Sequence, residues 1–323
     1  MKKRVLAVTI STCLLLSGCS SKKIMLPYSS DINSVTLAQL DDGGESQLFA
    51  ADLCVIPENE DIGTDKQLTA ESVLLVDATE NKCVYADNIY EKLYPASITK
   101  IVTALVALQN SNLDDVVTIS YNAANIKEDG AKLCGFQEGD QITMRNLLSA
   151  FLVYSGNDAG VAIAEHVAGN VEAFADMMNE QAEAVGAVHS HFVNPHGLHD
   201  EEHYTTAYDI YLFFQELTKN YGTFVDIISC GSVRISYENA QGEEQSRTFS
   251  STDRYLVGTQ TPPEGVTVIG GKTGTTSLAG SCLVLYSEGE NTHKYISVIL
   301  KAASGDDLFA QMNALLSKIN ENQ

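Results

Sequence analysis

The chain has 323 residues, with 42 acidic against 20 basic side chains, a formal charge of −22 and a hydrophobic share of 44%. That length allows one large domain or two small ones around a sizeable core. The acidic surplus argues against nucleic acid and anionic lipid as partners.

The first residues, "MKKRVLAVTISTCLLLSGCSS", combine a basic start (Lys2, Lys3, Arg4), an apolar run from Val5 to Leu16 and small residues just before Cys19. This pattern predicts an export signal over 1–18, too short to span a membrane. Its end, "LSGC", resembles the bacterial lipobox, whose cysteine is acylated; the alternative is a plain secretory leader with an incidental cysteine. On the lipobox reading Cys19 is the lipidation site. The mature lipoprotein then sits on the extracytoplasmic face of the bacterial cell membrane, held through its N-terminal lipid. Cleavage removes three cations and no acid, which leaves a charge of about −25. Beyond Cys13 and Cys19 lie Cys54, Cys83, Cys134, Cys230 and Cys282, an odd number without a C-x-x-C pair. Parity rules out complete internal pairing.

Residues 19–68 are polar and acidic, with the turn-rich clusters "DDGGES" and "PENEDIGTD", and read as a lipid-anchored spacer. Within it "LFAADLCVI" is apolar enough to dock as an extra element. From 69 to 323 the pattern is that of one folded domain. "SVLLVDATENKCVYADN" predicts two strands joined by a turn at 79–82. Helical spacing follows at 98–109, 144–154, 158–168, 172–185 and 207–219. Strands return at "SVRISY", "VTVIGG", "SCLVLYS" and "KYISVIL", before a last helix near 307–319. The sum is an α+β fold, a largely antiparallel sheet flanked by helices, with a helical subdomain.

Three short stretches carry chemistry. In "YPASITKIVTALVAL" Ser97 and Lys100 are three apart, on one helical face, and Lys100 is the only Asp, Glu, Lys or Arg between Leu93 and Leu113. Burial disfavours an ammonium, and a neutral amine beside a hydroxyl can take its proton. The bland alternative is a serine cap and a lysine reaching to solvent. "YSGNDAG" places Ser155 and Asn157 in a turn between two helical patterns, and "VIGGKTGTTSLAG" places Lys272, Thr273 and Gly274 at the end of an apolar strand.

In that order, S-x-x-K, S-x-N and K-T-G resemble the motifs of the penicillin-binding protein and serine β-lactamase superfamily. The segments "SGNDAGVAIAEHVAG", "HFVNPHGLHDEEHYTTAYDI" and "GGKTGTTSLAGSCLVL" are similar to those of its low-molecular-mass serine D-Ala-D-Ala carboxypeptidases, across about 70–302. The resemblance implies a DD-peptidase fold and an enzyme that removes the terminal D-alanine from peptidoglycan stem peptides through an acyl-enzyme. It also implies acylation by β-lactams. Ser97 becomes the nucleophile, Lys100 its base and Ser155 a proton relay. Asn157 binds a substrate amide, Lys272 supplies positive potential and Thr273 holds the terminal carboxylate. The amides of Ser97 and Thr275 form the oxyanion hole, and Gly274 admits a substrate backbone. No cofactor and no metal is implied.

Two features depart from the family. It commonly has an arginine shortly after the last long strand, where "KAASGDDLF" offers Asp306 and Asp307, so Lys301 and Arg254 are the alternatives for the carboxylate. Its members also often continue into a β-rich domain and a C-terminal anchor, for which this chain leaves no room.

Other readings are weaker. "GVTVIGGKTG" lacks the first glycine of a P-loop, at Val266, and runs into a strand rather than a helix. Five histidines, His189, His191, His196, His199 and His203, crowd one stretch, but "HDEEH" has Asp200 where a zinc peptidase needs glutamate. A class A β-lactamase has aspartate where Gly156 stands. A DD-endopeptidase remains an alternative of the same superfamily. A non-catalytic wall-binding lipoprotein requires the loss of a reactive residue, and none is lost.

Overall fold

The computed structural model describes residues 53–57 and 61–321; the expected leader, Cys19 and most of the acidic spacer lie outside the described residues. In chain order, β1 (Ser72–Asp77) and β2 (Lys82–Asp87) form a hairpin, and a 3₁₀ turn (Ala96–Thr99) leads into α1 (Lys100–Asn110). Then come β3 (Val116–Thr118), α2 (Tyr121–Ala124), β4 (Gln141–Thr143), α3 (Met144–Ser149) and a π-helical turn (Ala150–Tyr154). Four helices come next: α4 (Asn157–Ala168), α5 (Val171–Val185), α6 (Ala207–Asn220) and α7 (Gly222–Ile228). The chain closes with β5 (Ser232–Glu238), β6 (Glu244–Ser250), β7 (Val266–Thr276), β8 (Gly280–Gly289), β9 (Lys294–Ala302) and α8 (Gly305–Glu321).

One sheet has the order β2-β1-β9-β8-β7 and a smaller one the order β3-β4-β5-β6, with every pair antiparallel. The α+β class and the antiparallel sheet are as the sequence implied. The large sheet is covered on both faces, which is why its inner strands read as continuous apolar runs rather than alternating ones. In β1, Val73 and Leu75 join one buried cluster with Leu308, Met312, Leu315 and Ile319 of α8. Leu74 and Val76 join the other cluster, with Ile101 and Leu105 of α1 and Phe213 of α6. β7 is left as an edge strand beside the helical region.

Several elements escape the apolar pattern for physical reasons. β3 and β4 have three residues each, too few to show a period. β6, "EQSRTFS", buries only Phe249, and its place is set by its ladder to β5. The predicted helix over 144–154 is an α-helix only to Ser149; the π turn then leaves Ser155 at φ +75°. Such turns add a residue to the helical path and re-aim the next side chains along it. β7 outruns "VTVIGG" through Thr276, because backbone pairing with β8 continues where apolar side chains stop. The K-T-G triplet therefore lies within a strand, not past its end.

Upstream of residue 69 the chain is already part of this body. Cys54 and Ile56 are buried in the α1 and α6 cluster, and the Cys54 N–H donates to the Tyr211 hydroxyl at 3.0 Å. Ile62 bridges to Ala86, and Leu68 packs into the α8 cluster. Among the described residues no helix is long and apolar enough to cross a membrane.

Candidate active site

Six segments converge on a cavity of about 370 Å³ lined by Ser97, Ser155, Asn157, Thr273, Gly274 and Thr275, together with Lys132, His196, Thr252 and Arg254. Ser97 lies in the 3₁₀ turn and Lys100 opens α1, so the lysine reaches back toward the serine on the same face. The Lys100 Nζ lies 3.0 Å from Ser97 Oγ and donates to Asn157 Oδ1 and to the His196 carbonyl, each at 2.7 Å. Lys100 is fully buried, and burial first, then the Lys272 ammonium, hold its pKa well below the usual lysine range. A neutral amine has two N–H donors and one lone pair. The two carbonyl partners occupy the donors, which leaves the lone pair for the Ser97 hydroxyl.

The second segment is pinned from below. The buried Asp158 carboxylate accepts the N–H groups of Cys134 and Gly135, each at 2.8 Å, and the Asn157 N–H donates to the Lys132 carbonyl at 2.7 Å. This ties the start of α4 to the 132–136 strip. A Cβ at Gly156 would lie 2.1 Å from Cys134 Sγ, so the neighbour of Ser155 and Asn157 has to be glycine here.

Gly274 lines the cavity and also has a packing reason to be glycine. A Cβ there would meet protein backbone, 2.9 Å from the Pro95 carbonyl and 3.0 Å from the N–H groups of Ser97 and Ile98. The glycine seats β7 against the turn that carries Ser97. Lys272 is buried and donates to the Thr273 carbonyl at 2.8 Å. Burial, then Lys132, bring its pKa down to about 7, with Asp253 opposing. Thr273 Oγ1 donates to Thr252 Oγ1 at 2.6 Å.

The structure separates the two alternatives for a carboxylate-binding cation. Arg254 lines the cavity, its Nη1 2.7 Å from Asp306 and its guanidinium over the Phe309 ring. Lys301 is half exposed, 3.7 Å from Glu71, and does not line the cavity. Lys132, which no sequence motif singles out, also lines it; its Nζ lies 3.9 Å from the centre of the Tyr154 ring. The histidines disperse: His203 Nε2 bonds Thr99 Oγ1 at 2.7 Å, His199 packs on Tyr94, His189 faces Asp209 and His191 contacts the Glu202 carbonyl. His196 alone reaches the cavity, its pKa held well below the usual histidine range by burial. Among the described residues the metal-ligand types that do converge are Asp77 and Glu80 at the β1–β2 turn and His293 from the β8–β9 turn, where Asp77 already accepts the Thr79 and Glu80 N–H groups.

A part-buried serine beside a buried lysine, a second serine beside an asparagine, and K-T-G on an edge strand share one cleft. A sequence profile of D-alanyl-D-alanine carboxypeptidases matches residues 59–304. The chain belongs to that family. It is 31% identical over 254 residues to the D-alanyl-D-alanine carboxypeptidase DacF of Bacillus subtilis, covering 76% of this chain and 61% of that protein. To DacC of Escherichia coli it is 30% identical, covering 77% and 60%. The chain thus spans about 60% of the length of these relatives. Among solved structures, penicillin binding protein 5 from Haemophilus influenzae superposes with a TM-score of 0.70 at 27% identity, over 79% of this chain and 72% of that one. The D-alanyl-D-alanine carboxypeptidase DacD from Francisella tularensis gives 0.68 at 26%, over 83% and 72%. The DD-peptidase fold of this family member agrees with the architecture described above.

Proposed function

We propose that this protein removes the terminal D-alanine from peptidoglycan stem peptides by a serine acyl-enzyme route, outside the cytoplasm, and that β-lactams acylate the same serine. The observation that carries the reading is the 3.0 Å approach of the fully buried Lys100 amine to Ser97 Oγ. Ser97 Oγ attacks the carbonyl of the scissile D-Ala-D-Ala amide while Lys100 Nζ takes its proton. The N–H groups of Ser97 and Thr275 receive the developing oxyanion. Ser155 passes a proton to the leaving amine, D-alanine departs, and water releases the shortened peptide. Asn157 holds the substrate amide. Lys272, Thr273 and Arg254 receive the terminal carboxylate, and Arg254 suits it because a guanidinium binds carboxylate bidentately. Cys19 carries the lipid that keeps the enzyme at the membrane.

The test is incubation with a pentapeptide stem, with and without an amine acceptor, together with fluorescent penicillin labelling of wild type and Ser97→Ala. Free D-alanine and a label confined to Ser97 are expected. Label persisting in Ser97→Ala, or mapped to another residue, overturns the reading. D-alanine leaves on acylation in either case; an acyl-enzyme resolved mainly by the amine rather than by water would make the protein a transpeptidase.

A further inference from the structure

Beside the K-T-G strand lies a buried carboxylate with no part in the reaction proposed above. Asp253 sits in the segment between β6 and β7 and is 1% exposed. Its Oδ1 accepts the Tyr255 N–H at 2.9 Å and the Leu256 N–H also acts on the carboxylate, whereas Oδ2 is buried without a close hydrogen-bond partner. An orphaned carboxylate oxygen is costly unless an opposite charge answers it. The 2.6 Å bond between Thr252 and Thr273 clamps this segment to β7, one residue from Asp253 on one side and one residue from Lys272 on the other. Lys272 is equally buried, and among the described residues the acceptor for its ammonium is the neutral Thr273 carbonyl. Two opposite charges, each short of partners, thus flank a single link between segments.

We propose that Asp253 is a positioning residue for this site: its buried carboxylate is the counter-charge that favours the ammonium form of Lys272 behind the Thr273 wall of the cleft. The inference rests on the function proposed above. The charged groups coupled to Lys272 are Lys132 from the strip before α3, Lys100 on α1 and Asp253; those coupled to Asp253 are Lys272 and the Tyr255 phenol. Of these, Asp253 alone favours the Lys272 ammonium, against burial and Lys132. Burial raises the Asp253 carboxyl itself to about 6, so it is ionised at neutral pH. Removing its charge makes Lys272 lose its proton at lower pH and weakens capture of an anionic substrate.

Asp253→Asn removes the charge and keeps an acceptor for the Tyr255 N–H. The experiment measures acylation by a penicillin and D-alanine release from an acyl-D-Ala-D-Ala peptide from pH 5 to 10, for wild type, Asp253→Asn and Asp253→Glu. The basic limb should fall by about one pH unit in Asp253→Asn, the size of shift expected from losing a close opposite charge. KM at pH 8 should rise more than kcat falls, while the acidic limb, set by Lys100, stays in place. Asp253→Glu should restore the basic limb. If Asp253→Asn fails to fold, Asp253→Ser, a second neutral acceptor, carries the comparison. An unmoved basic limb in a folded neutral variant, or a shift shared by Asp253→Glu, overturns the inference. A wild type that neither releases D-alanine nor takes the label instead overturns the function reading, and this inference with it.

Discussion

Lys100 bonds three atoms on three separate segments, Ser97 Oγ, Asn157 Oδ1 and the His196 carbonyl, so its amine is fixed by the meeting of those segments rather than by its own helix. Lys100→Ala and Lys272→Ala should therefore fail differently. Loss of the base should slow acylation by ~10²- to 10⁴-fold even at saturating substrate, with little change in binding. Loss of Lys272 should raise KM as well. It also removes the neighbouring cation that depresses Lys100, so the Lys100 pKa rises and the acidic limb of acylation moves to higher pH. Acylation rates from pH 5 to 10 decide; an unmoved acidic limb in Lys272→Ala, or near-normal rates in Lys100→Ala, would remove Lys100 from the role of base. The pairing of Ser97 with Lys100 was legible because helical spacing brings residues three apart together. The His196 carbonyl was not, since every residue has one and none announces its use. Arg254 was legible only as an alternative to Lys301, because nothing local shows that Asp306 meets its guanidinium.

At the scale of elements, the site depends on how closely strips of backbone approach one another. The 132–136 strip reaches the start of α4 only because Gly156 has no side chain and Asp158 satisfies the amides of the strip. Gly156→Ala should destabilise the fold by about 1–3 kcal/mol, the usual range for overpacking, and slow acylation by displacing Asn157. Adding Cys134→Ala removes the 2.1 Å clash with Sγ and should recover part of the loss; the Asp158 oxygen, 2.9 Å from the same Cβ, limits the recovery. Urea midpoints of the single and double variants measure this, and equal midpoints would show that the contact is relieved elsewhere. The sequence carried the long helices and the sheet strands, whose apolar residues must face a core. It was silent on β3 and β4, on the polar β6 and on the π turn, whose positions come from ladders and helix geometry rather than from side-chain pattern.

For the whole molecule, two apolar clusters on opposite faces of one sheet hold a body that already includes the chain from Leu53. Among the described residues no helix is long and apolar enough to cross a membrane, and the lipid proposed at Cys19 is open to a direct test. Cys19→Ala should leave the protein in the soluble fraction with its penicillin labelling intact. A mutant that still sediments with membranes in high salt would count against the lipid. The two buried lysines also bear on the molecule as a whole, through the protons exchanged when it unfolds. Unfolded, each lysine regains an ordinary value near 10.5; folded, Lys272 lies at about 7 and Lys100 well below the usual range. Through these two lysines the unfolded chain binds more protons than the folded one above about pH 7, so linkage makes stability rise with pH until, near pH 9, the buried Cys54, Cys134 and Cys282 thiols, whose pKa burial raises, begin to act in the opposite direction. Each such group contributes a slope of up to about 1.4 kcal/mol per pH unit. In a chain of charge −22 the added repulsion of alkaline conditions acts in the opposite direction. Lys272→Met should flatten the rise in urea midpoint between pH 7 and 9.5, whereas an equally steep rise in the variant would place the proton uptake elsewhere. On this account the residues that equip the cleft for acylation also make it a net acceptor of protons on unfolding, and the fold is best protected on the alkaline side of neutrality.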